Sequence, residues 1–365
     1  MHILIAISGH GYGHLSQTAP VINALFELGE NNKQNICFTV VSSLPSALLN
    51  QRIIPKFKHV NMSFDFGMRM KDALHVDVKA SYRRYKQVHK NYAHHVEVAA
   101  TLLKETCPDL VLANIPYVLL SACQQRNVSH VALCSLNWAD IFHHYYAQYT
   151  PAIPVWEQIQ AAYEGVHMFI QPTPSMPMCR IRRRHQVGLI AETGSLPQRD
   201  AYRKQLIGAD QYLILVALGG LDYRMDLEDW LHIEGVTWVF NQAVPAIRRD
   251  MLNLQTIPLS FQKILCASDL LMTKPGYGSF AEAAALGLPV LYLPRPDWPE
   301  AVYLTQWAER NMLCEKVDSI STVEFKDQIM RCLQQGRSCP VAPTGGMQAA
   351  QLLYDLGRLP ELSND

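Results

Sequence analysis

The chain lacks a charge excess of either sign, a CxxC pair, a low-complexity stretch and any long apolar run. Lys plus Arg and Asp plus Glu number 32 each, giving a formal net charge of zero. Phosphate backbones call for a basic surface, so this balance points to no nucleic-acid partner. The nine cysteines are odd in number and scattered between Cys37 and Cys339. That argues against a disulfide framework or a zinc site and for a reducing, cytoplasmic setting. No segment approaches the ~20 apolar residues of a membrane span, so membrane contact is expected to be peripheral at most. The apolar start, Met1 to Ile7, is too short for the core of a signal peptide.

What is present is ample apolar material. Hydrophobic residues make up 49% of 365 and charged residues 18%, enough for two packed cores. Short apolar runs alternate with helical stretches, the pattern of α/β units around parallel sheets. Ile3–Ile7 reads as a strand, followed by a glycine-rich turn and a helix from about Leu15 to Leu28 that Gly29 would end in a left-handed conformation. Further strands are expected at 36–41, 110–113 and 130–134, with one or two helices over 78–107. Pro172, Pro174, Pro177 and Pro197, around the basic run Arg180 to His185, mark a domain boundary. The pattern then restarts with strands at 212–217, 236–240, 269–272 and 289–293 and helices at 259–267, 278–286, 300–310 and 322–335. The reading is thus two Rossmann-like doubly wound domains facing a cleft. The first covers 1–180 and the second 190–345; a helix within 346–365 would pack back on the first.

Two glycine-rich turns carry the chemistry. In the second half, Thr273-Lys274-Pro275-Gly276-Tyr277-Gly278-Ser279 joins a strand to a helix. A helix N-terminus offers free N–H groups and a positive dipole end to an anion. Gly276 and Gly278 permit close backbone approach, Ser279 can cap the helix or donate its hydroxyl, and Lys274 adds charge. Glu282, one turn after Gly278, is placed to accept ribose hydroxyls. In the first half, Ser8-Gly9-His10-Gly11-Tyr12-Gly13-His14 follows the first strand. Its glycines are spaced by two, so it is not the dinucleotide fingerprint GxGxxG. Trp138, near Asn137 and Asp140, follows a strand end and is expected to line a cleft.

The combination of Cys266-Ala267-Ser268-Asp269, Lys274 to Ser279, Glu282-Ala283 and Gly287-Leu288-Pro289 resembles the donor-binding segment of two-domain, GT-B type glycosyltransferases. That superfamily holds the peptidoglycan-precursor N-acetylglucosaminyltransferase, the small-molecule UDP-glycosyltransferases and the glycosyltransferase-like half of some arabinose kinases. The resemblance is sharp over about 40 residues here and about 20 at the N-terminus. It implies an N-terminal acceptor domain and a C-terminal nucleotide-sugar domain. It places Glu282 on the ribose and the backbone of Gly276, Tyr277, Gly278 and Ser279 on the diphosphate, beside Lys274. Gly219 and Gly220, after Leu218, resemble the first phosphate-side loop of the same domain, and the resemblance sets Asp297 and Glu300 against the sugar. Many members carry Asp-Gln or Gln-Gln at that last place; this chain does not. Arg295 could help neutralise phosphate charge, but as a loop arginine it reads first as structural or solvated.

Gly13-His14-Leu15 matches the family's Gly-His-hydrophobic triplet, which makes His14 the candidate general base. His10, Gly11, Gly13 and Trp138 are candidate acceptor or cleft residues. At the end of the Leu110–Ala113 strand some relatives have an aspartate that orients the histidine; here it is Asn114, which orients without charge. The implied activity is transfer of a sugar from a UDP or dTDP sugar to the hydroxyl of a small-molecule, glycan or lipid acceptor. It is expected to proceed with inversion and without metal, the nucleotide sugar being a co-substrate and no cofactor being needed. Two alternatives are a nucleotide-sugar epimerase on the same fold and a non-catalytic sugar-nucleotide-binding protein. No histidine pair on the helices has metal-site spacing.

Overall fold

The computed structural model describes residues 1–208, 211–219, 225–320 and 323–357. Gly220 and the end of the proposed 346–365 segment lie outside them. Contacts divide the chain into two compact units. The first holds Met1–Arg69, Val76–Ile190 and the stretch from Thr344. The second holds Met70–His75 and Ala191–Pro343.

The first unit contains seven strands: β1 (His2–Ile7), β2 (Cys37–Val41), β3 (Phe57–Val60), β4 (Leu110–Asn114), β5 (His130–Leu133), β6 (Met168–Pro172) and β7 (Arg184–Val187). They form one sheet in the order β3-β2-β1-β4-β5-β6-β7, with all pairs parallel. Its helices are α1 (Gly13–Asn31), α2 (Ser46–Arg52), α3 (Val78–Lys90), α4 (Tyr92–Thr106), α5 (Tyr117–Arg126), α6 (Trp138–Tyr146) and α7 (Ile153–Glu164). Parallel strands linked by helical crossovers are covered on both faces and so read as unbroken apolar runs. Ile3–Ile7 and Leu110–Asn114 are buried throughout.

The second unit repeats the plan. Its strands β8 (Tyr212–Ala217), β9 (Val236–Phe240), β10 (Met251–Asn253), β11 (Leu270–Thr273), β12 (Val290–Tyr292) and β13 (Cys314–Lys316) form a parallel sheet ordered β10-β9-β8-β11-β12-β13. Its helices are α8 (Arg199–Arg203), α9 (Phe261–Ala267), α10 (Tyr277–Leu286), α11 (Ala301–Asn311) and α12 (Val323–Gln335). An aromatic group centres one core: Trp230 meets Trp238 at 5.5 Å and Phe240 at 5.3 Å, both edge-on. In each unit strand order reverses beside the first strand, between β1 and β4 and between β8 and β11. In open α/β sheets, ligands bind outside the carboxyl ends of the strands at that point.

The last helix, α13 (Gly345–Leu356), packs on α1 in the first unit. Its seat is built from glycines. A Cβ on Gly345 would collide with the carbonyl oxygen of Gly188. Gly345 N donates to Leu189 O at 2.9 Å, and Gln348 Oε1 accepts from Gly188 N at 2.7 Å.

Two local expectations change, and one left open, the one or two helices over 78–107, is decided. Gly29 does not end α1, which runs on to Asn31. It is instead a point of close approach, where a Cβ would stand 2.9 Å from Gln34 O and 3.0 Å from Ile36; Lys33 takes the left-handed conformation, at φ 54°. The 78–107 stretch is two helices broken at Asn91. Arg184 and His185 of the basic run lie in edge strand β7 of the first sheet.

Candidate functional site

In the first unit, the chain leaves β1 at Ile7, opposite Asn114 at the end of β4. Ser8 N donates to Asn114 O at 2.7 Å, which ties the glycine-rich loop to the neighbouring strand end. The loop turns at Gly11, φ 94°, and α1 starts at Gly13. His14 is therefore on the first turn of α1, only 6% exposed, and His14 Nδ1 lies 2.8 Å from Asn114 Oδ1. These two residues, 100 positions apart, meet because β1 and β4 are sheet neighbours.

The amide orientation follows from its other end. Asn114 Nδ2 donates to His14 O at 3.3 Å, and a carbonyl can only accept. Asn114 Oδ1 thus faces the ring, so Nδ1 carries the proton and Nε2 keeps its lone pair. Gln17 extends the network: Nε2 donates to Ser135 Oγ at 2.9 Å, and Oε1 accepts from Ser135 N at 3.2 Å. Burial pushes His14 down to about 4, against the opposing pull of the Asn114 hydrogen bond. At neutral pH the ring is uncharged, a proton acceptor whose charged form is costly in this setting.

Trp138 opens α6 and is fully buried. Its indole meets His10 edge-on at 5.1 Å and His14 at 5.9 Å. Its Nε1 donates to Asp65 Oδ2 at 2.7 Å. Sequence reasoning missed Asp65, Gln17 and Ser135. Trp138, expected to line a cleft, is fully buried, and Asn137 beside it is the α6 cap, accepting from Asp140 N at 2.8 Å. Tyr85 is fully buried in the core.

In the second unit, β11 ends at Thr273, opposite Ala217 at the end of β8. Thr273 Oγ1 donates to Ala217 O at 2.6 Å. The chain passes Lys274 and Pro275 and enters α10, whose N-cap is Gly276; no side chain caps it. Ser279 is inside the helix and does not serve as its cap. At the other end Gly287 adopts φ 63°, where a Cβ would strike Ser338 O. Glu282 stands on the second turn, 2% exposed.

Lys274 crosses over Gly219, whose absent Cβ would lie 3.2 Å from Lys274 Cε. Its ammonium donates to Ala73 O at 2.6 Å within the same unit. Burial and then the Arg295 charge lower it to about 7, while Asp72 pulls it up. Arg295 is not a solvated loop residue. It is buried, with its guanidinium 4.2 Å over the Trp298 ring and 3.6 Å from Met70 Sδ. Glu300 is also buried and accepts from Trp298 Nε1 at 3.2 Å; Asp297 is half-buried. Among the described residues no cluster of His, Cys, Asp or Glu has the makings of a metal site, and no helix is long and apolar enough to cross a membrane.

No protein-family model matches the chain. The L-arabinokinase of Arabidopsis thaliana is 24% identical over 319 residues, a match that takes in 86% of this chain and 30% of that protein. Solved structures align along nearly the whole length. The glycosyltransferase of kitacinnamycin superposes with a TM-score of 0.63 at 12% identity, covering 98% of this chain and 99% of that one. UGT89C1 of Arabidopsis thaliana, solved with UDP, gives 0.56 at 13% identity and covers 98% and 99%. The same protein has been solved with UDP-L-rhamnose and with quercetin. A protein of Listeria monocytogenes described as a UDP-N-acetylglucosamine 2-epimerase gives 0.54 at 13% identity, over 97% and 94%. These likenesses establish the fold as GT-B, with two Rossmann-like units.

Proposed function

We propose that the chain is a glycosyltransferase that moves a sugar from a UDP or dTDP sugar to an acceptor hydroxyl, inverting the anomeric carbon without a metal ion. The observation that carries this reading is the uncapped N-terminus of α10, flanked by Lys274 and Arg295 with Glu282 one turn deeper. Free N–H groups, a positive dipole end and two cations suit a diphosphate. A buried carboxylate beyond them suits the paired hydroxyls of a ribose.

In this reading the first unit supplies the base. As the acceptor oxygen bonds to the anomeric carbon, its proton passes to His14 Nε2. The bond from that carbon to the phosphate oxygen breaks, and the electron pair leaves with the nucleoside diphosphate. Lys274, Arg295 and the α10 N–H groups stabilise the growing negative charge. One displacement inverts the centre. Asn114 holds the tautomer that leaves Nε2 free; it gives the imidazolium no counter-charge, so His14 accepts the proton only as the hydroxyl acidifies in the transition state.

Binding is tested by thermal denaturation with UDP, dTDP and their glucose conjugates at millimolar concentration. A ligand at 100 times its Kd adds about 2.7 kcal/mol to the folded state. No shift with any nucleotide would remove the donor site from the reading. Product stereochemistry by anomeric proton coupling checks inversion, and turnover in excess chelator checks metal independence. Interconversion of UDP sugars with no acceptor present would favour an epimerase instead.

A further inference from the structure

The segment between β3 and α3 holds a carboxylate for which the chemistry above has no use. Asp65 is 7% exposed. Its Oδ2 receives the Trp138 indole hydrogen at 2.7 Å, and the Ser8 and Ser63 side chains also favour its charged form. Keeping a carboxylate in an interior is expensive unless it is held by hydrogen bonds. The indole it grips is the surface on which both loop histidines rest, His10 edge-on at 5.1 Å and His14 tilted at 5.9 Å. Two residues after Asp65, Gly67 takes φ 60°, and a Cβ there would collide with the His10 ring. One short segment therefore touches His10 directly and reaches both imidazoles through a single ring.

We propose that Asp65 is a positioning residue, whose carboxylate, by holding the Trp138 indole, fixes where the His10 and His14 rings stand. The consequence for turnover rests on His14 being the base; the geometric claim does not. The charge is the active ingredient, because a hydrogen bond to an ionised acceptor is stronger than one to a neutral acid. Burial lifts Asp65 to about 6, against the pull of Trp138, Ser8 and Ser63. The titratable groups coupled to it are Tyr85 from α3, Tyr117 from α5 and Tyr163 from α7, and the His10 and His14 rings lie against the indole that it holds. All three phenols are pushed well above their usual range, so they stay neutral. His14, near 4, does not titrate in the same window.

The test follows the ring signals of Trp138 and His14 by NMR in the full chain between about pH 5 and pH 8. In the wild type both are expected to move together with a midpoint near 6. In Asp65→Asn that movement disappears. In Trp138→Phe the carboxylate remains but the link is cut, and His14 no longer follows it. His14 signals identical with and without Asp65 would overturn the proposal. With UDP-glucose as the probe, or another UDP sugar that the wild type turns over, kcat of Asp65→Asn should fall about ten- to a hundredfold, the scale of a misplaced catalytic group. KM for the donor should stay within about twofold, and the acid limb near 6 should vanish. A kcat and pH profile equal to wild type would also overturn it. If the wild type turns over no nucleotide sugar, the glycosyltransferase reading fails, and the ring signals still decide the positioning.

Discussion

The β1–β4 pair of the first unit and the β8–β11 pair of the second occupy the same place in sheets wound in the same order. In both, the last residues of the two strands stand opposite each other, Ile7 with Asn114 and Ala217 with Thr273. A glycine-bearing turn follows in both, and then a helix. The chemistry set on these equivalent ends differs in sign and in depth. The first unit buries an uncharged imidazole under an amide. The second surrounds a bare helix N-terminus with a lysine and a buried arginine. One topology therefore supplies only an address. In the proposed reaction, the few residues past each strand end decide whether a proton acceptor or an anion cradle stands there, and its two halves divide along that line.

The sharpest way to break this division is to remove the ring. His14→Ala should lower kcat by about 10²- to 10⁴-fold, the usual worth of a general base, and leave the calorimetric affinity for UDP unchanged. Weakened UDP binding in that variant would show that the two chemistries are not separate. The reciprocal change, Lys274→Met, should weaken UDP about ten- to a hundredfold, as expected for loss of a partly buried charged contact of ~1.5–3 kcal/mol. It should leave the His14 ring signals in place.

The acidity of Lys274 adds a finer test. A diphosphate favours the ammonium form, and the free lysine loses its proton near 7. UDP affinity is thus full below that pH and declines as pH rises through it, by about fivefold from pH 7 to pH 8 on simple linkage. Lys274→Arg should flatten this curve. A wild-type affinity that is level across the range would mean that the lysine does not touch the phosphates. The smallest expected effect concerns architecture. Gly345→Ala forces a methyl onto the Gly188 carbonyl and should cost about 1–3 kcal/mol in urea unfolding. Because α13 belongs to the first unit, UDP binding should survive the change under native conditions.

Much of the fold was legible because buried parallel strands and amphipathic helices write distinct periods into the sequence. Both strand–turn–helix elements were legible this way, from glycines between an apolar run and a helix. Asp65 was not. It sits in an aperiodic stretch, and its partner Trp138 is 73 positions away, so nothing local announces the pair. The burial of Arg295 was missed for a similar reason. The sequence shows a proline-rich loop, whereas the Trp298 ring and the Met70 sulfur that cover the guanidinium are tertiary facts. Gly29 was misread because a glycine can mark a left-handed turn or a tight approach, and only the packing of Ile36 distinguishes them.

The glycine seat of α13 also sets an order of events. The stretch from Thr344 completes the first unit but follows Ala191–Pro343, which builds most of the second. On a ribosome moving at about 5–20 residues per second, the face of α1 that receives α13 stays uncovered for on the order of ten seconds after β7 has been made. During that interval the second unit can fold around its own tryptophans while the first waits with an apolar surface open. The first unit is then completed only after most of the second has been made.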